Sequence, residues 1–364
     1  MKNLSIIILG TLAASCIQCD SRNIHTDTVH IPSAVDKMMV TDDLFDNFEF
    51  IPLETSEESL FGYIDKIIIH NDKFYILDKT KTRRINVFNS NGKFSHTIGK
   101  RGDGPEEYTK IEDFTIDEKN GQVIILSFPS ILYRYDLEGN FMERKKISDY
   151  LLWHICYDGA EGFLCSTDYQ SSESDYLIHH YDKDFTLKDR KIKSTNGIVA
   201  MPPLNINPFI KDGDKISYFD FYTSTLHWNI LNAEEKQIVF EFGNKKVPFE
   251  AYKDPMRFYE KQQDYNFFIT AVIDKGLFWS SYSNHGQGAN ILITDITNGK
   301  KILLKDSRFL EILCCHDSYF YQAYSPLTFL EGNFNFSAKV ISDYSVEFDS
   351  NLMILRFKAR RVFN

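Results

Sequence analysis

The chain has 364 residues, 43% of them apolar and 25% charged, enough to bury a core of domain size. Its net charge of −10 argues against nucleic acid as a partner, because phosphate binding rests on clustered Lys and Arg. The same acidity disfavours docking onto anionic lipid by overall charge.

In chain order, Lys2 forms a short positive n-region. Leu4 to Leu12 is an apolar stretch too short for a bilayer, which takes about 20 residues. Small residues Ala13-Ala14-Ser15 then lead to Cys16, an arrangement that resembles the lipobox of bacterial lipoproteins, with Leu12 one place further back than usual. This reading makes 1–15 a signal peptide, Cys16 the acylated first residue and 16–45 a tether and linker. It implies a cell-envelope location, periplasmic or surface-exposed, with membrane contact through the lipid anchor only. The other reading is an ordinary signal peptide cut nearby, with Cys16 and Cys19 free or paired.

Beyond the leader, runs rich in Ile, Val, Phe and Tyr recur between Asn-Gly, Asp-Gly and Glu-Gly turns, as β proteins read. A first unit holds four expected strands: Ile64–Ile69, Lys73–Leu77, Arg84–Phe88 and Lys93–Ile98. It recurs at 112–147, where Glu138-Gly139 lies 47 places after Asn91-Gly92. In a third copy Tyr181 follows Tyr135 by 46 places, and a fourth closes on Phe242-Gly243 as the first closes on Ile98-Gly99. A fifth begins at "FFITAVIDKGLFWSSYS", and a sixth runs from "FLEILCCHDSYFYQAYS" to "NLMILRFKAR".

A period near 47 with four strands per unit predicts an all-β, six-bladed β-propeller of four-stranded antiparallel blades over 46–364. Inner strands buried on both faces account for the continuous apolar runs "FYIL" and "VIIL". The sixth unit offers only three strands, so "FEFIPLE" (48–54) is expected to complete it as the outer strand and close the ring. Two long interruptions, 247–267 and 325–350, break the rhythm; Asp254-Pro255 marks a helix start in the former.

Six cysteines do not make a disulfide scaffold. Cys156 and Cys165 flank a turn and would bond in one hairpin register only, whereas Cys314-Cys315 should point to opposite faces of a strand. No pair of C-x-x-C motifs supports zinc, so neither metal nor cofactor is expected.

The stretches "IPLETSEESLFGYIDKIIIHNDKFYILD" (51–78), "INVFNSNGKFSHTIGKRGDGPEEY" (85–108) and "DSNLMILRFK" (349–358) resemble six-bladed β-propeller lipoproteins of Bacteroidetes-type bacteria. That family is related to NHL-repeat and TolB-like propellers. The resemblance implies an exported, anchored propeller and carries no catalytic set that transfers residue by residue.

"IGKRGDGPEEY" (98–108) fails as a phosphate loop, because Pro105-Glu106 stand where Lys and Ser/Thr are required. Its Arg-Gly-Asp tripeptide is explained by a turn, with Gly99, Gly102 and Gly104 expected at positive φ. Two function classes remain. A metal-assisted channel enzyme, lactonase- or lyase-like, would draw on Asp65, Glu112, Asp113, His154 and Glu311 near the first strands, with Asp65 and Asp113 in matching places. Those acids have a plainer use in pairing with Lys66 or lining a wet channel. The favoured class is a binding or scaffolding module for a carbohydrate, peptide or envelope protein. Its face gathers blade connections and second-to-third-strand loops, with Arg83, Arg84, Arg101, Tyr108, Trp153, His154, Tyr222 and His285 as contacts.

Overall fold

The computed structural model describes residues 24–32, 44–160, 162–170, 174–194, 197–199, 206–232, 235–284, 288–305, 311–332, 336–341 and 345–360. Cys16, Cys19 and His285 lie outside them. Two strands precede the first blade, β1 (His25–His30) and β2 (Phe45–Ile51). Blade one is β3 (Lys66–His70), β4 (Lys73–Asp78), β5 (Arg84–Asn89) and β6 (Phe94–Thr97). Blade two is β7 (Ile111–Asp117), β8 (Gln122–Ser127), β9 (Ile131–Asp136) and β10 (Phe141–Lys146). Blade three is β11 (His154–Tyr157), β12 (Gly162–Ser166), β13 (Tyr176–Asp182) and β14 (Leu187–Lys193). Blade four is β15 (Phe209–Asp212), β16 (Lys215–Asp220), β17 (Thr225–Trp228) and β18 (Lys236–Glu241). Blade five is β19 (Asn266–Asp274), β20 (Leu277–Asn284), β21 (Ala289–Asp295) and β22 (Lys301–Leu304). Blade six opens with β23 (Ile312–His316) and β24 (Tyr319–Tyr324), gains β25 (Ala338–Val340) and ends with β26 (Met353–Ala359).

Each blade is a separate sheet, and the first strands β3, β7, β11, β15, β19 and β23 adjoin one another in a closed circle. The molecule is a six-bladed propeller. Six apolar clusters account for the ring, one at each blade-to-blade interface. Strand periodicity splits the residues between them: Val123 and Ile125 enter the core shared with blade one, while Ile124 and Leu126 enter the core shared with blade three. Aromatic edges fill the wider gaps, as where Phe219 meets Phe268 at 5.0 Å and Trp279 meets Phe320 at 4.9 Å.

β2 completes the last blade as its fourth strand, antiparallel to β26, with Phe50 opposite Leu355 and Ile51 opposite Ile354. Glu49 and Arg356 reinforce the seam at 2.5 Å. The 325–350 interruption adds what the repeat did not announce: β25 pairs parallel to the outside of β2. A short helix, α1 (Pro255–Lys261), belongs to the earlier interruption and starts as expected, with Asp254 accepting the Arg257 N–H at 3.1 Å. A second helix, α2 (Pro326–Leu330), lies in the later one.

Residues 25–30 were assigned to the linker on sequence grounds but form β1, which pairs parallel to the outer edge of β18 in blade four. Only Val29 of "HTDTVH" is buried, so apolar periodicity gave no signal for it. Lys236 holds Asp27 at 2.6 Å across this pairing.

Cys156 and Cys165 are both free. Cys156 stands opposite Leu164 and Cys165 opposite Ile155, an offset of one residue that sends the two thiols into different cores. Cys314 and Cys315 do point to opposite faces of β23.

Candidate functional site

The first strands present sheet edges to the axis, and a buried Lys–Asp pair ties three of them together. Lys66 Nζ donates to Asp113 Oδ1 at 2.8 Å, to the Phe114 carbonyl at 2.8 Å and to the Ile155 carbonyl at 3.4 Å. Asp113 in turn accepts the N–H groups of Phe114 and Ile155, each at 2.8 Å. Thr115 adds a bond from the Tyr157 N–H at 3.0 Å. Blade edges that would leave buried donors and acceptors unpaired are thereby satisfied by side chains.

Burial pushes the Asp113 carboxyl upward, but Lys66 and His154 outweigh it and hold it at about 2. His154 lies between two acids, with Nδ1 3.7 Å from Asp113 and Nε2 2.9 Å from Asp168. Burial lowers its pKa, and the two carboxylates more than compensate, so it sits above the usual imidazole value. Ser166 donates to Asp168 at 2.6 Å. Contacts thus run from Lys66 through Asp113, His154 and Asp168 to Ser166, and Asp113 is paired with Lys66.

Asp65 does not match Asp113. Lys66 stands opposite Leu77 as Asp113 stands opposite Leu126, so Lys66 is the counterpart and Asp65 is one residue out of step. Its carboxylate instead accepts the Lys79 N–H at 2.8 Å. Glu311 is exposed. Among the described residues no group of three or more His, Cys, Asp or Glu is placed to hold a metal ion. Below the Lys66 latch the channel holds a cavity of about 170 Å3 between apolar residues such as Ile68, Phe209 and Leu313. Lys211 and Glu118 pair at 3.0 Å in its wall.

The face of blade connections differs from the sequence expectation in which side chains it offers. Tyr108 is wholly buried and donates its hydroxyl to the Ile98 carbonyl at 3.2 Å. Tyr222 and His154 are buried as well. An amphipathic residue carries no sequence mark of which end faces water; Tyr108 and Tyr222 serve the apolar cores beneath the loops, and His154 sits in β11 between Asp113 and Asp168. Arg84 and Arg101 are exposed, Arg83 is half-buried at φ 57°, and Trp153 is partly exposed.

In "IGKRGDGPEEY" only Gly99 has positive φ, 63°, and any Cβ there would lie 2.6 Å from the Tyr135 ring. Gly102 and Gly104 do not take the expected conformation. They make room for Glu107, whose carboxylate would sit 1.9 Å from a Cβ at position 102. Glu107 accepts the Gly104 N–H at 3.0 Å and pairs with Lys100 at 2.8 Å.

What gathers around Trp153 was missed. Lys110 Nζ lies 5.8 Å from the Trp153 ring and 5.8 Å from the Phe128 ring, and 2.5 Å from Glu112. Phe128, in the second-to-third-strand loop of blade two, is 45% exposed. Among the described residues the buried Trp153 Nε1 has no hydrogen-bond partner, while Glu112 Oε1 is held by the Lys110 ammonium. The loop-face rule that selected Trp153 applies equally to Phe128, and was the available signal. Lys110 gave none, since its two aromatic neighbours come from two other connections.

Comparison with solved structures agrees with the architecture. A Bacteroides fragilis protein described as exported superposes with a TM-score of 0.71 at 17% identity, over 92% of this chain and 99% of that one. A Bacteroides vulgatus member of the DUF4221 family superposes at 0.54 and 9% identity, over 88% and 99%. No curated protein matches the chain. Residues 26–346 match the domain of unknown function DUF4934, a span that begins within β1, takes in blades one to five and ends before β26 of blade six. The chain is a member of the DUF4934 family, built as a six-bladed propeller.

Proposed function

We propose that this protein is an exported propeller that binds carbohydrate on the face of its blade connections, between blades two and three. The observation that carries the reading is the Lys110, Phe128 and Trp153 group. Two aromatic rings, Phe128 exposed and Trp153 partly so, flank the Lys110–Glu112 cation–carboxylate pair. Sugars are bound by that combination, apolar ring faces on aromatic side chains and hydroxyls on charged groups. Export is supported by the leader-like first 15 residues and by the likeness to the B. fragilis protein; anchoring at Cys16 completes the proposal.

A protein partner has one observation in its favour. Of the twelve exposed large hydrophobics among the described residues, nine lie in connections of this same face, including Tyr63, Met256, Tyr259 and Phe348. A glycan array of neutral and uronic-acid oligosaccharides separates the two. Retention of defined glycans that is lost in Trp153→Ala and Lys110→Ala supports carbohydrate binding; an array with no retained glycan overturns it.

A further inference from the structure

The acidity of the whole chain hides one strongly basic surface. β10 carries Arg144, Lys145 and Lys146 against Glu143, and β14 carries Lys188, Arg190, Lys191 and Lys193 against Asp189. Seven of the chain's 41 Lys and Arg residues thus fall on two short strands. Both strands are the free outer edges of their sheets. The other blades differ: β6 has no Lys or Arg, β22 has Lys301 alone, and the outer edges of blades four and six are covered by β1 and β25.

The two edges form one surface. Lys145 Nζ donates to the Asp184 carbonyl at 2.5 Å and Arg134 to the Lys183 carbonyl at 2.7 Å, joining the rim of blade two to the last turn of blade three. Lys146 and Lys191 are partly neutralised by Asp149 and Asp189. Lys188, Arg190 and Lys193 have no ion-pair partner among the described residues. Met142 and Leu187 stand exposed within the same two strands.

We propose that this rim docks the propeller on an anionic lipid bilayer. A predominantly basic outer rim, seven cations against Glu143 and Asp189, suits a flat, oppositely charged plane better than a chain that needs a groove. Apolar Met142 and Leu187 can enter the interfacial layer between the cations. Docking by the rim leaves the propeller axis lying along the membrane and keeps the connection face open to solvent. Lysines on a sheet edge also discourage edge-to-edge pairing, so aggregation has to be followed separately.

The test uses the full chain carrying Cys16→Ser, which removes acylation, with vesicles of phosphatidylcholine or of phosphatidylcholine containing phosphatidylglycerol. Each Lys or Arg near an anionic surface contributes roughly fivefold to partitioning, and the effect is screened by salt. The expected result is preferential flotation with the phosphatidylglycerol vesicles, abolished by high salt. Replacing Arg144, Lys188, Arg190 and Lys193 by Ser should weaken partitioning on the order of 100-fold or more. Because all four are exposed, an unchanged melting temperature and sedimentation profile are expected alongside. Equal partitioning into both vesicle types, or an unaffected fourfold variant, overturns the proposal. So does rim-dependent binding to soluble polyglutamate without vesicle binding, which would assign the rim to an acidic protein.

Discussion

Lys66 shows how little of a buried charge is available for chemistry once the backbone has used it. Its ammonium spends its donors on Asp113 and on carbonyls of two other blades. Lys66→Met removes the ammonium paired with buried Asp113 and should cost about 3–5 kcal/mol, read as the shift of a urea unfolding curve. A loss under about 1 kcal/mol would mean that the latch is dispensable. The same groups set a pH profile. His154 has a folded pKa above its unfolded value, so its contribution is complete below the unfolded pKa and is lost as pH rises through the folded one. Asp113 is depressed to about 2, so its contribution is present above the ordinary carboxylate pKa and is lost as pH falls toward 2. Melting temperature should therefore peak in mildly acid solution and decline on both sides. His154→Gln should flatten the alkaline decline specifically.

Turns and edge strands carry the repeat. Gly92, at φ 87°, would place a Cβ 1.9 Å from the Pro52 carbonyl, and Gly139, at φ 89°, would place one 2.8 Å from the Thr97 carbonyl. Each glycine packs its blade's last turn against the end of the preceding blade's outer strand. The pair thus treats β2 as the outer strand of the sixth blade just as it treats β6 as that of the first. Gly92→Ala should destabilise by more than the roughly 1 kcal/mol that positive φ alone costs, whereas Gly213→Ala, with nothing within 4 Å, should cost about that amount. Thermal melts of the two variants decide it, and equal losses would contradict the packing role. The glycine spacing of the repeat was legible because each copy solves the same steric problem. β1 was not legible, because its backbone pairing to β18 needs only one buried side chain, Val29. Gly102 and Gly104 were misread for a related reason: a glycine in sequence does not say whether it supplies conformation or space.

At the scale of the molecule, the ring converts six modest interfaces into one closed body. Leu126→Ala, in the core between blades two and three, should cost about 2–5 kcal/mol and broaden or split the unfolding transition only if blades uncouple. The fold could be read from the chain because its period repeats. The site could be read only in part, because a propeller face is assembled from connections far apart in sequence. Trp153 was visible as a loop aromatic, while Lys110 and Phe128 acquired meaning only when the ring brought them beside it. Three tryptophans make the location testable, since Trp279 is buried in a core and Trp228 packs near Lys215. The most direct measurement is the tryptophan fluorescence change on titration with an oligosaccharide retained on the array. The account predicts that the change disappears in Trp153→Phe and persists in Trp228→Phe. A change that survives intact in Trp153→Phe would contradict it.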